Sequence, residues 1–292
     1  MGNGRFAPSP SGDLHLGNLR TALVAWLYAR HSGRGFRLRV DDLDRVRPGA
    51  EARQVADLAA LGLDWDGEVL HQTDRLPRYA AAVDRLRAAG LVYECYCTRR
   101  EIQQAAAAPH APLGAYPGTC RELTAAQRAA HRADGRPPAL RLRAERTQYP
   151  VHDELHGDYT GLVDDLVLRR NDGVPAYNLC VVVDDGEQDI DQVVRGDDLL
   201  ASTPRQAYLA NLLDLPVPQY AHVPLVLNAE GKRLAKRDGA VTLSEQPSPA
   251  AAVALLAGSL GLSGTHPREL LAAFEPGRLP KIPWTFVPIT NS

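Results

Sequence analysis

Between residues 5 and 44 the chain predicts a strand, a turn, a helix and a second strand in direct succession. A short apolar stretch at residues 5–8 leads into turn-forming residues 9–13, and residues 36–40 predict the second strand. The intervening helix carries apolar residues spaced for one face: Leu19, Leu23, Trp26, Leu27 and Ala29. This order favours a parallel α/β sheet, which binds ligands where its strands end and its helices begin.

The rest of the pattern predicts an interrupted sheet. Helices are expected at 51–63 and 75–90, and residues 92–150 show no clear alternation of strand and helix, which indicates an insertion. The sheet is expected to resume with strands at 162–169, 176–183, 192–194 and 223–227 and a helix at 204–213. Residues 240–292 look helical and end in a proline-rich tail.

Composition excludes several classes of protein. Apolar residues make up 45% of the 292, so a packed core is available and wholesale disorder is excluded. Because 33 basic residues balance 35 acidic ones, a uniformly basic coat for nucleic acid is excluded, although a local arginine groove is not. No run approaches about 18 consecutive apolar residues, and the N-terminus has no apolar signal core, so we expect a cytoplasmic protein without a membrane span.

The turn after the first strand suits phosphate. Gly12 and Gly17 leave room for a nucleotide against the backbone, the following helix begins with its positive end there, and His15 can donate a hydrogen bond to a phosphoryl oxygen. A histidine that caps or packs against the helix fits the same position. Lysine is rare, at 232, 236 and 281 only, so two of three fall in segment 231–237, which is either a basic surface turn or a phosphate contact.

Several distant segments together resemble the class I aminoacyl-tRNA synthetases, in the branch specific for glutamate and glutamine. The first signature matches residues 5–12 and 15–18, and the second matches Arg233-Leu234-Ala235-Lys236-Arg237. Further family segments occur in the same order: Arg39–Asp44, Asp164–Arg170, Tyr177-Asn178, Val183–Asp185, Arg195–Asp198 and Thr203–Gln206. The resemblance implies a Rossmann-type sheet and activation of a carboxylate by ATP, which enters with Mg²⁺.

The resemblance also implies residue roles. His15 and Lys236 would act on the phosphates of ATP as catalytic groups, and Gly17 and Asn18 would complete the ATP site. L-Glutamate would be bound by Arg5, Ser9, Asp41, Tyr177 and Arg195, with Asp41 on the ammonium group. Taken singly, these residues also fit roles without any function in binding: surface cations for the arginines, a core aromatic for Tyr177 and a helix cap for Asp41. The chain departs from the family where Glu is usual at Asp41, Lys at Arg233 and Ser at Ala235.

Three cysteines fall close together. Cys95, Cys97 and Cys120 suit a tetrahedral metal site in a chain with too few cysteines for a disulfide scaffold, although a trio of buried thiols is the alternative. A fourth ligand is needed, with Tyr116, His110 and water as candidates. The pattern Cys-x-Cys…Tyr-x-x-x-Cys resembles the structural Zn²⁺ site of one branch of the family, in which tyrosine is the fourth ligand. Cys180, within apolar residues 179–181, is expected in the core as part of a strand.

That branch attaches glutamate to the cyclopentene-diol of queuosine at the wobble position of tRNA(Asp), and the resemblance implies the same reaction and partner here. We expect a monomer with four parts: the first Rossmann half (1–91), the zinc insertion (92–150), the second half (151–228), and the signature loop with a short helical C-terminal subdomain (229–292). About fifty residues follow Leu243, so no anticodon-binding domain is expected. The alternatives are a truncated glutamyl-tRNA synthetase that charges the terminal adenosine of tRNA(Glu), and a non-catalytic RNA-binding relic.

Overall fold

The computed structural model describes residues 2–98, 100–102, 116–234 and 241–287. Its main sheet has seven strands in the order β3-β2-β1-β9-β10-β6-β7. The strands are β1 (Asn3–Phe6), β2 (Gly35–Val40), β3 (Leu70–His71), β6 (Gln148–Asp153), β7 (Gly157–Leu162), β9 (Ile190–Gly196) and β10 (Gln219–Val223). Neighbouring strands are parallel except for the β6–β7 pair, so the expected parallel α/β sheet is present. Its strand order reverses direction between β1 and β9, which places a ligand crevice at their carboxyl ends.

Helices connect and cover these strands. They are α1 (Leu16–His31), α2 (Ala50–Ala60), α3 (Leu76–Ala88), α4 (Ala125–Ala133), α5 (Tyr177–Glu187), α6 (Thr203–Leu212), α7 (Pro249–Gly258) and α8 (Pro267–Leu271). Helix α1 was expected to bury one face, but 11 of its residues are buried. The reason is that one hydrophobic cluster joins α1 to β1 and β2 on one side and to Leu256, Phe274 and Phe286 on the other.

A second, smaller sheet combines two strands from residues 92–150 with a third strand from outside that range. Strands β4 (Val92–Cys95), β5 (Ala139–Leu142) and β8 (Val167–Arg169) pair antiparallel in the order β4-β5-β8. The single strand expected at 162–169 is therefore wrong: Leu162 ends β7 of the main sheet, residues 163–166 are not in a strand, and residues 167–169 form β8 of the small sheet. Two short strands, β11 (Val226–Leu227) and β12 (Trp284–Thr285), pair parallel beside the main sheet.

The expected strand at 176–183 is wrong as well, because these residues begin α5. The run Leu179-Cys180-Val181-Val182-Val183 is buried throughout, and a fully buried helix shows no polar face that would distinguish it from a buried strand. Cys180 is fully buried in the second large cluster, which confirms its expected place in the core although not its strand. Among the described residues, no helix has the length and apolar character needed to cross a membrane.

Candidate active site

The carboxyl ends of β1, β2 and β9 open into a cavity of about 610 Å³. The residues expected to bind glutamate and ATP at the described positions all line it: Arg5, Ser9, His15, Gly17, Asn18, Asp41, Tyr177 and Arg195. The sheet therefore brings together side chains that are far apart in the sequence. Lys236, with its neighbour Ala235, lies outside the described residues.

His15 stands at the start of α1 and is part of the helix cap. Its Nδ1 accepts a hydrogen bond from the Asn18 backbone N–H at 3.2 Å, and Asn18 Oδ1 accepts one from the His15 N–H at 3.3 Å. The capping role considered from sequence is thus present, and it fixes the ring at the positive end of α1. Gly17 makes this packing possible, because a Cβ there would lie 2.9 Å from ring atoms of His15.

The turn before α1 is held by a residue that the sequence analysis missed. Gln54 of α2 is buried, and its Nε2 donates to the carbonyls of Ser9 at 3.1 Å and Gly12 at 2.6 Å. Gly12 has φ of 145°, a conformation that side chains with Cβ rarely adopt. Gln54 therefore fixes both ends of a turn whose shape requires glycine. A buried glutamine in a helix that follows the turn is a weak signal in sequence, since its partners are backbone atoms.

Asp41 lies at the end of β2 in a buried network of charges. Arg39, which is 0% exposed, donates from Nε to Asp41 at 2.8 Å and from Nη1 to Asp185 at 2.6 Å. Arg5 Nε lies 3.4 Å from the same Asp185 oxygen. Burial raises the pKa of Asp41 to about 6 although Arg39 and Arg5 oppose this shift. Burial also acts on Asp185, but Arg5 and Arg39 outweigh it and lower the pKa of that carboxyl.

The structure excludes the purely structural roles that were considered for four of these residues. Arg5 and Arg195 are buried rather than surface cations, Tyr177 is 47% exposed rather than a core aromatic, and Asp41 caps no helix. Arg39 and Asp185 lie within the resemblance segments but were given no role, since strand alternation alone does not show which buried charges will meet. Arg233, which replaces the usual lysine, pairs with Asp198 at the cavity wall.

A second cavity, of about 810 Å³, opens on the other side of this site. Ser9, Asp41, Arg45 and Tyr177 line both cavities, so these four residues form a common wall. The second cavity extends to Cys95 and Cys97, and Arg136, Arg141 and Arg170 also line it. It therefore joins the glutamate-binding candidates to the cysteine cluster through a partly basic space.

The cysteine cluster has the dimensions of a tetrahedral metal site. The sulfurs of Cys95, Cys97 and Cys120 lie within 4.8 Å of one another, and the Tyr116 hydroxyl lies 3.3 Å from Cys95 Sγ and 3.5 Å from Cys97 Sγ. Cys97 and Cys120 are 3.4 Å apart, too far for a disulfide. Tetrahedral zinc with bonds of about 2.3 Å places thiolates roughly 3.8 Å apart, so the donor set fits. His110, the other expected protein ligand, lies outside the described residues.

Tyr116 is positioned for this role by its surroundings. The guanidinium of Arg141 lies 3.6 Å from the centre of the Tyr116 ring, and the Cys120 backbone N–H donates to the Tyr116 oxygen at 2.9 Å. The Tyr116 backbone N–H in turn donates to Asp164 at 2.9 Å. Burial raises the pKa of the Tyr116 hydroxyl, and the hydrogen bonds with Cys95 and Cys97 add to this shift, while the Cys120 N–H opposes it. A metal bound here would therefore have to displace the phenol proton.

Comparison with known proteins identifies the family to which the chain belongs. The family model for the catalytic domain of class I tRNA synthetases (E and Q) matches residues 3–276. The chain belongs to this family of class I synthetases. It is 72% identical to the glutamyl-Q tRNA(Asp) synthetase of Nocardia farcinica over 97% of this chain and 92% of that protein. Within the class I family, the chain therefore groups with the glutamyl-Q tRNA(Asp) synthetases.

The chain matches only part of the length of two glutamate–tRNA ligases. A glutamate–tRNA ligase of Synechococcus sp. (strain JA-2-3B'a(2-13)) is 45% identical over 82% of this chain, but the match covers 52% of the ligase. The crystal structure of a glutamate tRNA ligase from Elizabethkingia meningosepticum in complex with its amino acid superposes with a TM-score of 0.84 at 27% identity, covering 98% of this chain and 67% of the other.

Proposed function

We propose that the chain activates L-glutamate with ATP and transfers it to the cyclopentene-diol of queuosine at the wobble position of tRNA(Asp). The observation that carries this proposal is the convergence of Arg5, Asp41 and Arg195 with the N-terminus of α1 on one cavity. Two arginines and one carboxylate match the charges of glutamate, while the helix start and His15 match a phosphate. The high identity to named glutamyl-Q tRNA(Asp) synthetases supports this acceptor.

In the first step, an oxygen of the glutamate α-carboxylate attacks the α-phosphorus of ATP. The bond to the bridging oxygen breaks, and pyrophosphate leaves as glutamyl-adenylate forms. Asp41 holds the substrate ammonium, Arg5 and Arg195 hold carboxylates, and His15 stabilises charge on the α-phosphate. Gly17 and Asn18 complete the ATP site, and Lys236 contacts the phosphates. ATP enters with Mg²⁺ as its counter-ion.

In the second step, a hydroxyl of the cyclopentene-diol attacks the carbonyl carbon of glutamyl-adenylate. The bond from that carbon to the phosphate oxygen breaks, and AMP leaves with this oxygen while the hydroxyl proton passes to its phosphate. The second cavity provides the path for this acceptor, because its wall of Ser9, Asp41 and Tyr177 is shared with the glutamate site. Arg136 and Arg170 in that cavity suit contacts to RNA phosphates. A near-neutral chain thus uses a local basic surface for its nucleic acid.

Cys95, Cys97, Tyr116 and Cys120 would hold Zn²⁺ in a closed site with four protein ligands. Such a site supplies structure rather than a reactive water. Its position at the far end of the second cavity makes the metal a support for the wall against which the acceptor lies. The zinc insertion of residues 92–150 and the helical C-terminal subdomain of residues 229–292 are part of this proposal.

The test supplies ATP and labelled glutamate with queuosine-bearing tRNA(Asp), queuosine-free tRNA(Asp) and tRNA(Glu). Label on the first alone supports the proposal. Label on tRNA(Glu) that is lost when its terminal ribose diol is oxidised would establish a truncated glutamyl-tRNA synthetase. Absence of glutamate-dependent ATP–pyrophosphate exchange, with all three tRNAs unlabelled, would establish a non-catalytic protein.

A further inference from the structure

Arg195 begins a buried chain of hydrogen bonds across three neighbouring strands. His222 of β10 is paired in register with Arg195 of β9, and the Arg195 Nε donates to His222 Nε2 at 3.0 Å. On the other side of the ring, His222 Nδ1 lies 2.6 Å from the carboxylate of Asp153, at the end of β6. All three side chains are buried, and both Asp153 and His222 are 0% exposed.

These contacts determine where the His222 ring proton lies. A guanidinium N–H can only donate, so Nε2 must accept and carry no proton. The proton therefore lies on Nδ1 and is donated to Asp153. The other Asp153 oxygen accepts from the backbone N–H groups of Leu155 and His156, each at 3.0 Å, so the carboxylate is fixed.

The surroundings of the ring, taken together, favour this neutral form. Arg195 faces one edge, Asp153 the other, and the Tyr220 ring stacks with the imidazole at 6.0 Å. His156 Nε2 lies 3.0 Å from the His222 carbonyl. Burial lowers the pKa of His222, and the positive charge of Arg195 adds to this effect against the opposing Asp153. A protonated ring would lose its acceptor for Arg195.

Thr203 adds a second contact to the same guanidinium. It stands at the start of α6, where its Oγ1 accepts from Arg195 Nη2 at 2.8 Å and lies 2.9 Å from His222 Nε2. Two adjacent nitrogens of the guanidinium are thus held by two different residues. Contacts at two points fix the plane of the group, which a single contact does not.

We propose that Thr203 and His222 are positioning residues of the glutamate site, which hold the guanidinium plane of Arg195 for a substrate carboxylate, with Asp153 fixing the His222 tautomer. The proposal rests on the proposed function, since it needs Arg195 to bind glutamate. Its physical basis is preorganisation: a planar fork recognises a carboxylate well only when it is held in the plane of the ligand. An arginine that rotates freely would lose that freedom each time substrate binds.

Two matched pairs of variants test this. Thr203→Val removes the hydroxyl at nearly constant volume, and Thr203→Ser keeps it. His222→Asn keeps a donor near the Nδ1 position but loses the acceptor, whereas His222→Gln places an amide oxygen near the Nε2 position. We expect Thr203→Val and His222→Asn to raise the KM for glutamate about ten-fold in ATP–pyrophosphate exchange, as for loss of a hydrogen bond to a charged group. The KM for ATP should stay within about two-fold of wild type, and Thr203→Ser should restore the KM for glutamate.

The outcomes separate this inference from the proposed function. If the wild-type protein exchanges pyrophosphate with glutamate, but Thr203→Val leaves the KM for glutamate unchanged or Thr203→Ser impairs it equally, the positioning role is wrong. A parallel rise in the KM for ATP and for glutamate would show a general structural role and overturn it too. If the wild-type protein shows no glutamate-dependent exchange, the proposed function fails and the inference falls with it. Thermal unfolding of each variant verifies that it is folded.

Discussion

The hydroxyl of Tyr116 lies 3.3 Å from the sulfur of Cys95, although the two residues belong to different segments of the chain. No other described Cys, His, Asp or Glu completes the three-cysteine cluster as a fourth member. The tyrosine oxygen, which also lies 3.5 Å from Cys97 Sγ, is therefore the candidate for a fourth ligand. A phenolate in a zinc site carries one negative charge, as a thiolate does, but it is a harder donor.

Removing either kind of ligand should lower the zinc content. We expect Cys97→Ser and Tyr116→Phe to bind less than one zinc per chain and to lose it more readily to a chelator, because a four-ligand site becomes a three-ligand site. Metal analysis of purified protein measures this. Cys180→Ala, a buried cysteine in a separate core cluster, is the matched control and should keep its zinc. Full zinc occupancy in Tyr116→Phe would exclude tyrosine as a ligand.

Asp41 should give the enzyme an acid-side pH dependence. With the Asp41 pKa at about 6, the carboxylate that we propose for the substrate ammonium becomes protonated as the pH falls below that value. We expect kcat/KM for glutamate to fall up to ten-fold per pH unit below about pH 6. Exchange kinetics between pH 5 and pH 8 measure the profile.

The control for this profile is Asp41→Asn, which should be less active and lack the step near pH 6. The raised pKa means that the folded protein binds this proton more tightly than the unfolded chain does. Relative to Asp41→Asn, the unfolding free energy of the wild type should therefore fall as the pH rises from about 4 to about 6. A wild-type profile that is flat from pH 7 to pH 5 would contradict the assignment.

Gly17→Ala should damage activity through His15. The new Cβ would meet the ring at 2.9 Å, so the imidazole must shift from the position that it holds in the helix cap. We expect kcat for pyrophosphate exchange to fall at least ten-fold. Gly258→Ala is the matched control. Gly258 is the last residue of α7, with nothing within 4 Å of an added Cβ, so that change should raise stability by at most about 0.5 kcal/mol and leave activity intact. Equal activity of both variants would show that the His15 position is not critical.

Lys236→Ala should slow glutamate activation, since it removes the ammonium assigned to the ATP phosphates. We expect a loss of at least ten-fold in exchange, with a raised KM for ATP. Lys232→Ala is the control from the same segment. Lys232 is exposed and pairs with Glu230 at 2.9 Å, so its removal should have little effect. Unchanged exchange in Lys236→Ala would end this assignment.

The sequence predicted correctly those features that depend on residues close together in the chain. The turn at residues 9–18 and the first two strands are local, so their pattern alone predicted an α/β sheet with a ligand edge. Helix α5 was mistaken for a strand because Cys180 and the valines after it are buried on all sides, and burial on all sides removes the periodicity that separates the two structures.

The second group of missed features depends on pairing between distant segments. Three buried residues have partners that only the folded sheet brings near: Gln54, Arg39 and Asp185. His222 lies near the carboxyl end of β10, but the strand expected at 223–227 begins one residue after it, so the sequence pattern did not place His222 at the ligand edge. Its tautomer and its link to Asp153 needed coordinates.

The hydrophobic cluster around α1 has a consequence for synthesis of the protein. Leu16 and Trp26 emerge from the ribosome well before Leu256, Phe274 and Phe286, which complete the same cluster. Helix α1 must keep apolar surface exposed until those later residues have been synthesised, and exposed apolar surface favours aggregation or chaperone binding. The cluster is therefore expected to form late during synthesis. A ribosome stalled before residue 250 would hold an intermediate with exposed apolar surface that is prone to aggregate.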